Sequence, residues 1–291
     1  MKETSNETMN EIVNENANET ANETANETMN DPSGEMVKET YKAEFEQLKA
    51  LIREFGGVDS YNTDQAVKLF ALIYQMVKEQ GFDPRDQGQF FEGLRRVLDI
   101  HYTNLESLRE GKYILVPNHV SEFDGLIFGI LIPNMMVVAK TAWISNPRLN
   151  EFVSGLFKVV GLVRHDTSSG MNVLRSCMDH LNSVEHGAVT IFVQQTIADI
   201  DRTTPEDVAN GALLIAKKTG AAIVPVYAEQ VSPDHPMRIV IGSPMTIADK
   251  SDFGKEWLRQ EYALRDSMID PPARPPILCE KHLLPISERD F

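Results

Sequence analysis

Residues 113–124 read Tyr113-Ile114-Leu115-Val116-Pro117-Asn118-His119-Val120-Ser121-Glu122-Phe123-Asp124. The opening run is apolar without polar alternation, the pattern of a strand buried on both faces, and it ends at Val116-Pro117. The polar residues Asn118, His119, Ser121 and Asp124 follow at once. A helix starting near Ser121 would bring the Asp124 carboxylate beside the His119 imidazole at the mouth of a sheet. A carboxylate that accepts from one ring nitrogen fixes the tautomer and steadies the charge that develops when the other nitrogen takes a proton. The pair therefore fits a general base with its orienting partner. A helix-capping aspartate next to a structural histidine is the alternative that the same residues leave open.

Working outward, Met135-Met136-Val137-Val138, Ala188-Val189-Thr190-Ile191-Phe192-Val193, Ala222-Ile223-Val224-Pro225-Val226 and Arg238-Ile239-Val240-Ile241 read as further buried strands bounded by Gly, Pro or Asn. Helix candidates lie between them at 122–132, 147–160, 169–184 and 205–219, and a last helix runs from Lys255 to Met268 with Trp257, Leu258, Tyr262 and Leu264 on its apolar stripe. Strand-helix alternation of this kind predicts an α/β fold with a largely parallel sheet flanked by helices. Active residues then gather at the ends of strands and in the loops after them.

Ahead of this region, Phe45, Leu48, Ile52 and Phe55, then Val67, Phe70, Ile73 and Val77, then Phe91, Leu94, Leu98, Leu105 and Leu108 recur at helical spacing. They predict three amphipathic helices between Met36 and about Leu108, separated at Gly56-Gly57 and at Gly81 to Pro84. Residues 1–34 repeat Asn-Glu-Thr with almost no branched or aromatic side chains, so they are expected to be disordered. The expected organisation is a disordered head at 1–34, a helical region at 35–108, an α/β domain at 109–270 and a proline-rich tail at 271–291.

The formal charge is -15, but residues 1–34 carry eight acidic residues against one lysine, so the body is only mildly acidic. That lacks the broad basic face a nucleic-acid partner requires. Two cysteines, Cys177 and Cys279, are too few for a disulfide framework and show no zinc spacing. The N-terminus has no apolar run behind basic residues, and the most apolar stretch, Leu126 to Ala139, is broken by Pro133-Asn134 and is shorter than the ~20 residues of a spanning helix. A cytoplasmic protein, with any membrane contact made peripherally at the inner face, is the expectation. Serine-hydrolase elbows, phosphate-binding Gly-Lys loops and dinucleotide fingerprints are absent from the sequence, and His101, His180, His186, His235 and His282 have no acidic or nucleophilic neighbour at a useful spacing.

Pro117-Asn118-His119-x-Ser121-x-x-Asp124 resembles, position by position, the signature of the glycerol-3-phosphate and 1-acylglycerol-3-phosphate acyltransferases. Later segments follow in that family's order: Val138-Ala139-Lys140, then Gly161-Leu162-Val163-Arg164, then Ile191-Phe192-Val193-Gln194-Gln195-Thr196, and finally Gly211-Ala212 with Ile223-Val224-Pro225-Val226. The resemblance spans about residues 110–245. In its third block the chain departs from the family: Gln194 stands for a glutamate, Gln195 for a glycine and Ile197 for an arginine. An amide donates and accepts hydrogen bonds but carries no charge.

What the resemblance implies is transfer of a fatty acyl group from acyl-CoA or acyl carrier protein to a hydroxyl of a phosphorylated glycerolipid, without metal or redox cofactor. His119 and Asp124 are then catalytic. Arg164 suits a phosphate through its planar fork, and Arg202 is placed to replace the lost positive charge if the loop from Ala198 to Thr203 folds back. Asn118, Ser121, Gln194 and Thr196 complete the expected substrate-binding set. A 1-acylglycerol phosphate is the favoured acceptor, with glycerol 3-phosphate or another lipid as alternatives. A catalytically weak lipid- or acyl-binding homologue is the rival of another class.

Overall fold

The computed structural model describes residues 63–121, 124–163, 166–229, 236–247 and 249–268, together with residues 47 and 50. The Asn-Glu-Thr head, the helix expected around Phe45 to Phe55 apart from residues 47 and 50, the proline-rich tail, and Arg164 with His165 lie outside the described residues.

Helix α1 (Thr63–Glu79) buries Phe70, Ile73 and Val77, as their spacing requires. Helix α2 (Gln87–Val97) starts at Asp86, whose side chain accepts from the Gln89 amide and satisfies one of the free N–H groups of the first turn. The helical pattern expected to continue to Leu108 stops here. Asp99 takes a left-handed φ of 53°, and Ile100-His101-Tyr102-Thr103 form strand β1 (Ile100–Thr103) before a short 3₁₀ turn at Leu105–Leu108. Branched and aromatic residues favour the extended chain, and pairing with a distant strand outweighs a leucine spacing that is helical only by coincidence.

Strand β2 (Lys112–Pro117) carries the decisive apolar run, with Ile114, Leu115 and Val116 fully buried. Then come helix α3 (Asp124–Gly129), strand β3 (Met135–Lys140), the short helix α4 (Thr141–Ser145) and helix α5 (Pro147–Ser154). Asn146 caps α5 by accepting from the amides of Arg148 and Leu149, and Pro147 occupies its first turn. The helix expected over 147–160 ends at Ser154, because Val159 and Val160 belong to strand β4 (Lys158–Leu162) on the edge of the sheet beside β3. Helix α6 (Thr167–Ser183) leads to strand β5 (Gly187–Thr190). Residues 205–219 divide into a 3₁₀ turn at Pro205–Asp207 and helix α7 (Gly211–Thr219), rather than forming one helix. Strands β6 (Ala222–Ala228) and β7 (Met237–Ile241) and helix α8 (Phe253–Asp266) are the last of these elements among the described residues.

Among the described residues, seven strands form one sheet in the order β1-β7-β6-β2-β5-β3-β4. Every neighbouring pair is parallel except β6 and β7, so β1 and β7 run against the other five. The largely parallel sheet read from the sequence is the sheet observed. One face buries Ile114, Val116, Met136, Val138, Val189 and Ile223 against Val173, Cys177 and Leu181 of α6, Ala212 and Ile215 of α7, and Phe253 and Trp257 of α8. On the other face, Gly125 of α3 sits over Val137, and Phe157 packs so closely on Gly129 that a Cβ there would lie 2.6 Å from its ring. Burial pushes the Cys177 thiol up to about 12, so it stays protonated and inert in that core. No helix among the described residues is long and apolar enough to cross a membrane.

Candidate active site

His119 lies two residues beyond the end of β2, the strand flanked by β5 and β6, where the loops that follow these strands converge. Its ring is held from two sides. Nδ1 is 2.8 Å from Asp124 Oδ2, and the ring stacks on Phe192 with centroids 4.2 Å apart and planes 25° from parallel. Phe192 in turn meets Phe128 of α3 edge-on at 6.1 Å. With Nδ1–H donating to the carboxylate, Nε2 is left as the nitrogen that can take a proton.

Asp124, the first residue of α3, is fully buried, whereas the His119 side chain keeps 15% exposure. A buried carboxylate is costly unless its oxygens are satisfied. Here Oδ2 also accepts the main-chain amides of Val120 at 2.8 Å and Ser121 at 3.0 Å, and Oδ1 accepts the Ser121 hydroxyl at 2.7 Å. Donors of His119, Val120 and Ser121 thus converge on one carboxylate. Ser121, expected beside substrate, is buried and directs its hydroxyl at Asp124.

Asn118 is also turned inward. Its Nδ2 donates to Ala228 O at 2.9 Å, and its Oδ1 accepts the Ala228 amide at 2.8 Å. The side chain imitates a strand residue and carries the β2–β6 pairing past Pro117. Gln194, likewise fully buried, accepts the His119 amide on Oε1 at 2.7 Å. Its Nε2 donates to Ala198 O at 3.2 Å and to Thr203 Oγ1 at 2.7 Å. Thr196 is buried in the same loop, and Arg202 is exposed at the end of the 3₁₀ turn Ile200–Arg202. Gln195, at the position where the resemblance expects glycine, holds a left-handed φ of 60°. A glycine adopts that backbone without steric cost, so the backbone conformation persists here although the residue has changed.

The structure therefore gathers His119, Asp124, Asn118, Ser121, Gln194 and Thr196 around the ends of β2 and β5. Two contacts of this region were not read from the sequence. Phe192, counted as an interior strand residue, lies beyond the end of β5 and forms the platform for the imidazole. Trp257 of α8 donates Nε1–H to Val116 O at 2.8 Å and so braces the strand that carries His119. One turn along α8 lies the wholly buried Glu261, whose carboxyl is pushed well above the usual range by loss of hydration, against the opposing pull of the Val226 main-chain N–H. Among the described residues no group of three His, Cys, Asp or Glu side chains is placed to hold a metal ion.

No curated protein sequence matches the chain. Among solved structures it is similar to the crystal structure of the 1-acyl-sn-glycerophosphate (LPA) acyltransferase, PlsC, from Thermotoga maritima, with 17% identity and a TM-score of 0.44 over 73% of this chain and 86% of that one. Residues 99–229 match the sequence model of the Acyltransferase family, a span that runs from β1 through β6 and includes His119, Asp124, Phe192 and Gln194. Over those residues the chain is similar to the Acyltransferase family.

Proposed function

We propose that the chain transfers a fatty acyl group from an acyl thioester, acyl-CoA or acyl carrier protein, to the free hydroxyl of a 1-acylglycerol 3-phosphate. The observation that carries this reading is the His119–Asp124 contact at 2.8 Å, which leaves Nε2 for an acceptor hydroxyl while the carboxylate stays out of water. In the reaction, Nε2 takes the hydroxyl proton as the oxygen attacks the thioester carbonyl, and Asp124 stabilises the imidazolium. Collapse of the tetrahedral adduct breaks the C–S bond, and the departing thiolate recovers the proton from Nε2. No covalent intermediate on the protein is required.

A positioned base supplies about 10²–10⁴-fold in rate, so holding both substrates in attack geometry must supply much of the rest. We assign the acceptor phosphate to Arg164, with the exposed Arg202 as a second cation for it. An acyl-bearing acceptor partitions into membranes, which makes peripheral contact with a lipid surface part of this reading. Support for the glycerophosphate acceptor comes from the block order of the sequence. The test is thioester consumption. Purified protein is incubated with acyl-CoA or acyl carrier protein thioester and either 1-acylglycerol 3-phosphate or glycerol 3-phosphate, and free thiol and acylated product are measured. Thiol release that depends on 1-acylglycerol 3-phosphate is expected. Release driven equally by glycerol 3-phosphate would reassign the acceptor, and acyl binding without release would leave a binding protein.

A further inference from the structure

We propose that Gln194 is a positioning residue, whose amide locks the main chain of His119 to the loop from Ala198 to Thr203 and must be an amide, not a carboxylate, to do so. The proposal rests on the reading of His119 as the base.

The direction of each hydrogen bond around Gln194 is dictated by its partners. The His119 main-chain N–H can only donate, so the side-chain atom facing it at 2.7 Å must accept. The Ala198 carbonyl can only accept, so the atom facing it at 3.2 Å must donate. Thr203 has one hydroxyl hydrogen, which it gives to Asp199 O at 3.0 Å, so toward Gln194 at 2.7 Å it accepts. One side of residue 194 therefore has to accept and the other has to donate twice, which a carboxamide does and a carboxylate does not. A glutamate would set a charged oxygen against the Ala198 carbonyl in a fully buried position. It would also draw the Thr203 hydrogen away from Asp199.

The loop repays the contact. The Ala198 amide donates to His119 O at 2.8 Å, so both main-chain polar groups of His119 are held by the segment that Gln194 closes. From outside, Arg265 of α8 reaches Asp201 at 3.0 Å, and the Tyr262 hydroxyl donates to Ile200 O at 3.2 Å. Asp124 and Phe192 set the orientation of the ring, while this clasp sets where the ring's backbone stands. The departure from glutamate at this position is then matched to Thr203 and Ala198.

The experiment compares wild type, Gln194→Glu, Thr203→Val and Thr203→Ser in the full chain, by thermal melts between pH 5 and pH 8 and by steady-state acyl transfer. In Gln194→Glu the new carboxyl has a folded-state pKa above its unfolded value. The deficit in Tm against wild type should therefore be smallest at pH 5, where a protonated carboxyl can still donate, and should widen as pH rises. At neutral pH, kcat should fall on the order of 10–100-fold, as for a misplaced reacting group, with the acceptor KM within about twofold. Thr203→Val should share the fall in kcat and Thr203→Ser should escape it. A Tm deficit that does not change with pH, or a raised KM with kcat preserved, overturns the proposal. If wild type transfers no acyl group, the functional reading fails, and the pH dependence of the Tm deficit still decides the polarity of the clasp.

Discussion

Asp124 Oδ2 receives His119 Nδ1 at 2.8 Å while accepting the amides of the two residues that follow His119. Imidazole, carboxylate and backbone turn are therefore one unit: the ring cannot rotate without breaking the contact that fixes its tautomer, and the carboxylate cannot move without unwinding the start of α3. Such preorganisation is what allows a base to act without rearrangement during the reaction.

Asn118 offers a test of the sheet edge beneath this unit. Asn118→Asp keeps the shape but turns the donor to Ala228 O into an acceptor inside the fold. We expect a loss of about 3 kcal/mol, from a buried oxygen left facing a carbonyl. A chemical denaturation midpoint equal to that of wild type would show that the Asn118–Ala228 pairing is not required.

Glu261 makes the fold sensitive to pH in a defined direction. Burial raises its carboxyl in the folded chain above the value of about 4.3 that it has when unfolded. Its contribution to stability is then fully present below the unfolded value and is lost as pH rises toward the folded one. Glu261→Gln removes the titration, so the stability of the variant relative to wild type should climb with pH above about 4.3, with a slope of up to about 1.4 kcal/mol per unit. Melts at stepped pH measure it, and a difference that stays flat or declines would contradict it.

Gln195 is a position where the backbone asks for glycine. Gln195→Gly should lie within about 1 kcal/mol of wild type, because relief of the left-handed strain offsets the added freedom of the unfolded chain. Gln195→Val should lose more, since a β-branched residue is strained at positive φ. Equal melting temperatures for the glycine and valine variants would mean that this φ is not maintained in solution.

The parallel sheet and the His119–Asp124 pair could be read because each is carried by a short continuous stretch: an apolar run for β2, and five positions of chain for the pair. What could not be read depends on distant partners. β1 is a strand because Ile100 to Thr103 lie along β7, and β4 because Lys158 to Leu162 lie along β3. The inward turn of Asn118 requires Ala228, and the brace on Val116 requires Trp257. Gln194 was expected beside substrate for a similar reason: nothing in the chain near it announces that Thr203 and Ala198 will fold back to claim its amide.

The most direct test of the catalytic assignment is the acyl-transfer rate of His119→Ala, Asp124→Asn and the double variant, each first shown to be folded by its melt. Each single variant should lose at least about 10²-fold in kcat/KM, the range typical of a lost general base. Because the two side chains act as one unit, the double variant should be scarcely slower than His119→Ala alone. Losses that multiply would mean independent roles, and near-normal transfer by folded His119→Ala would contradict the assignment of His119 as the base.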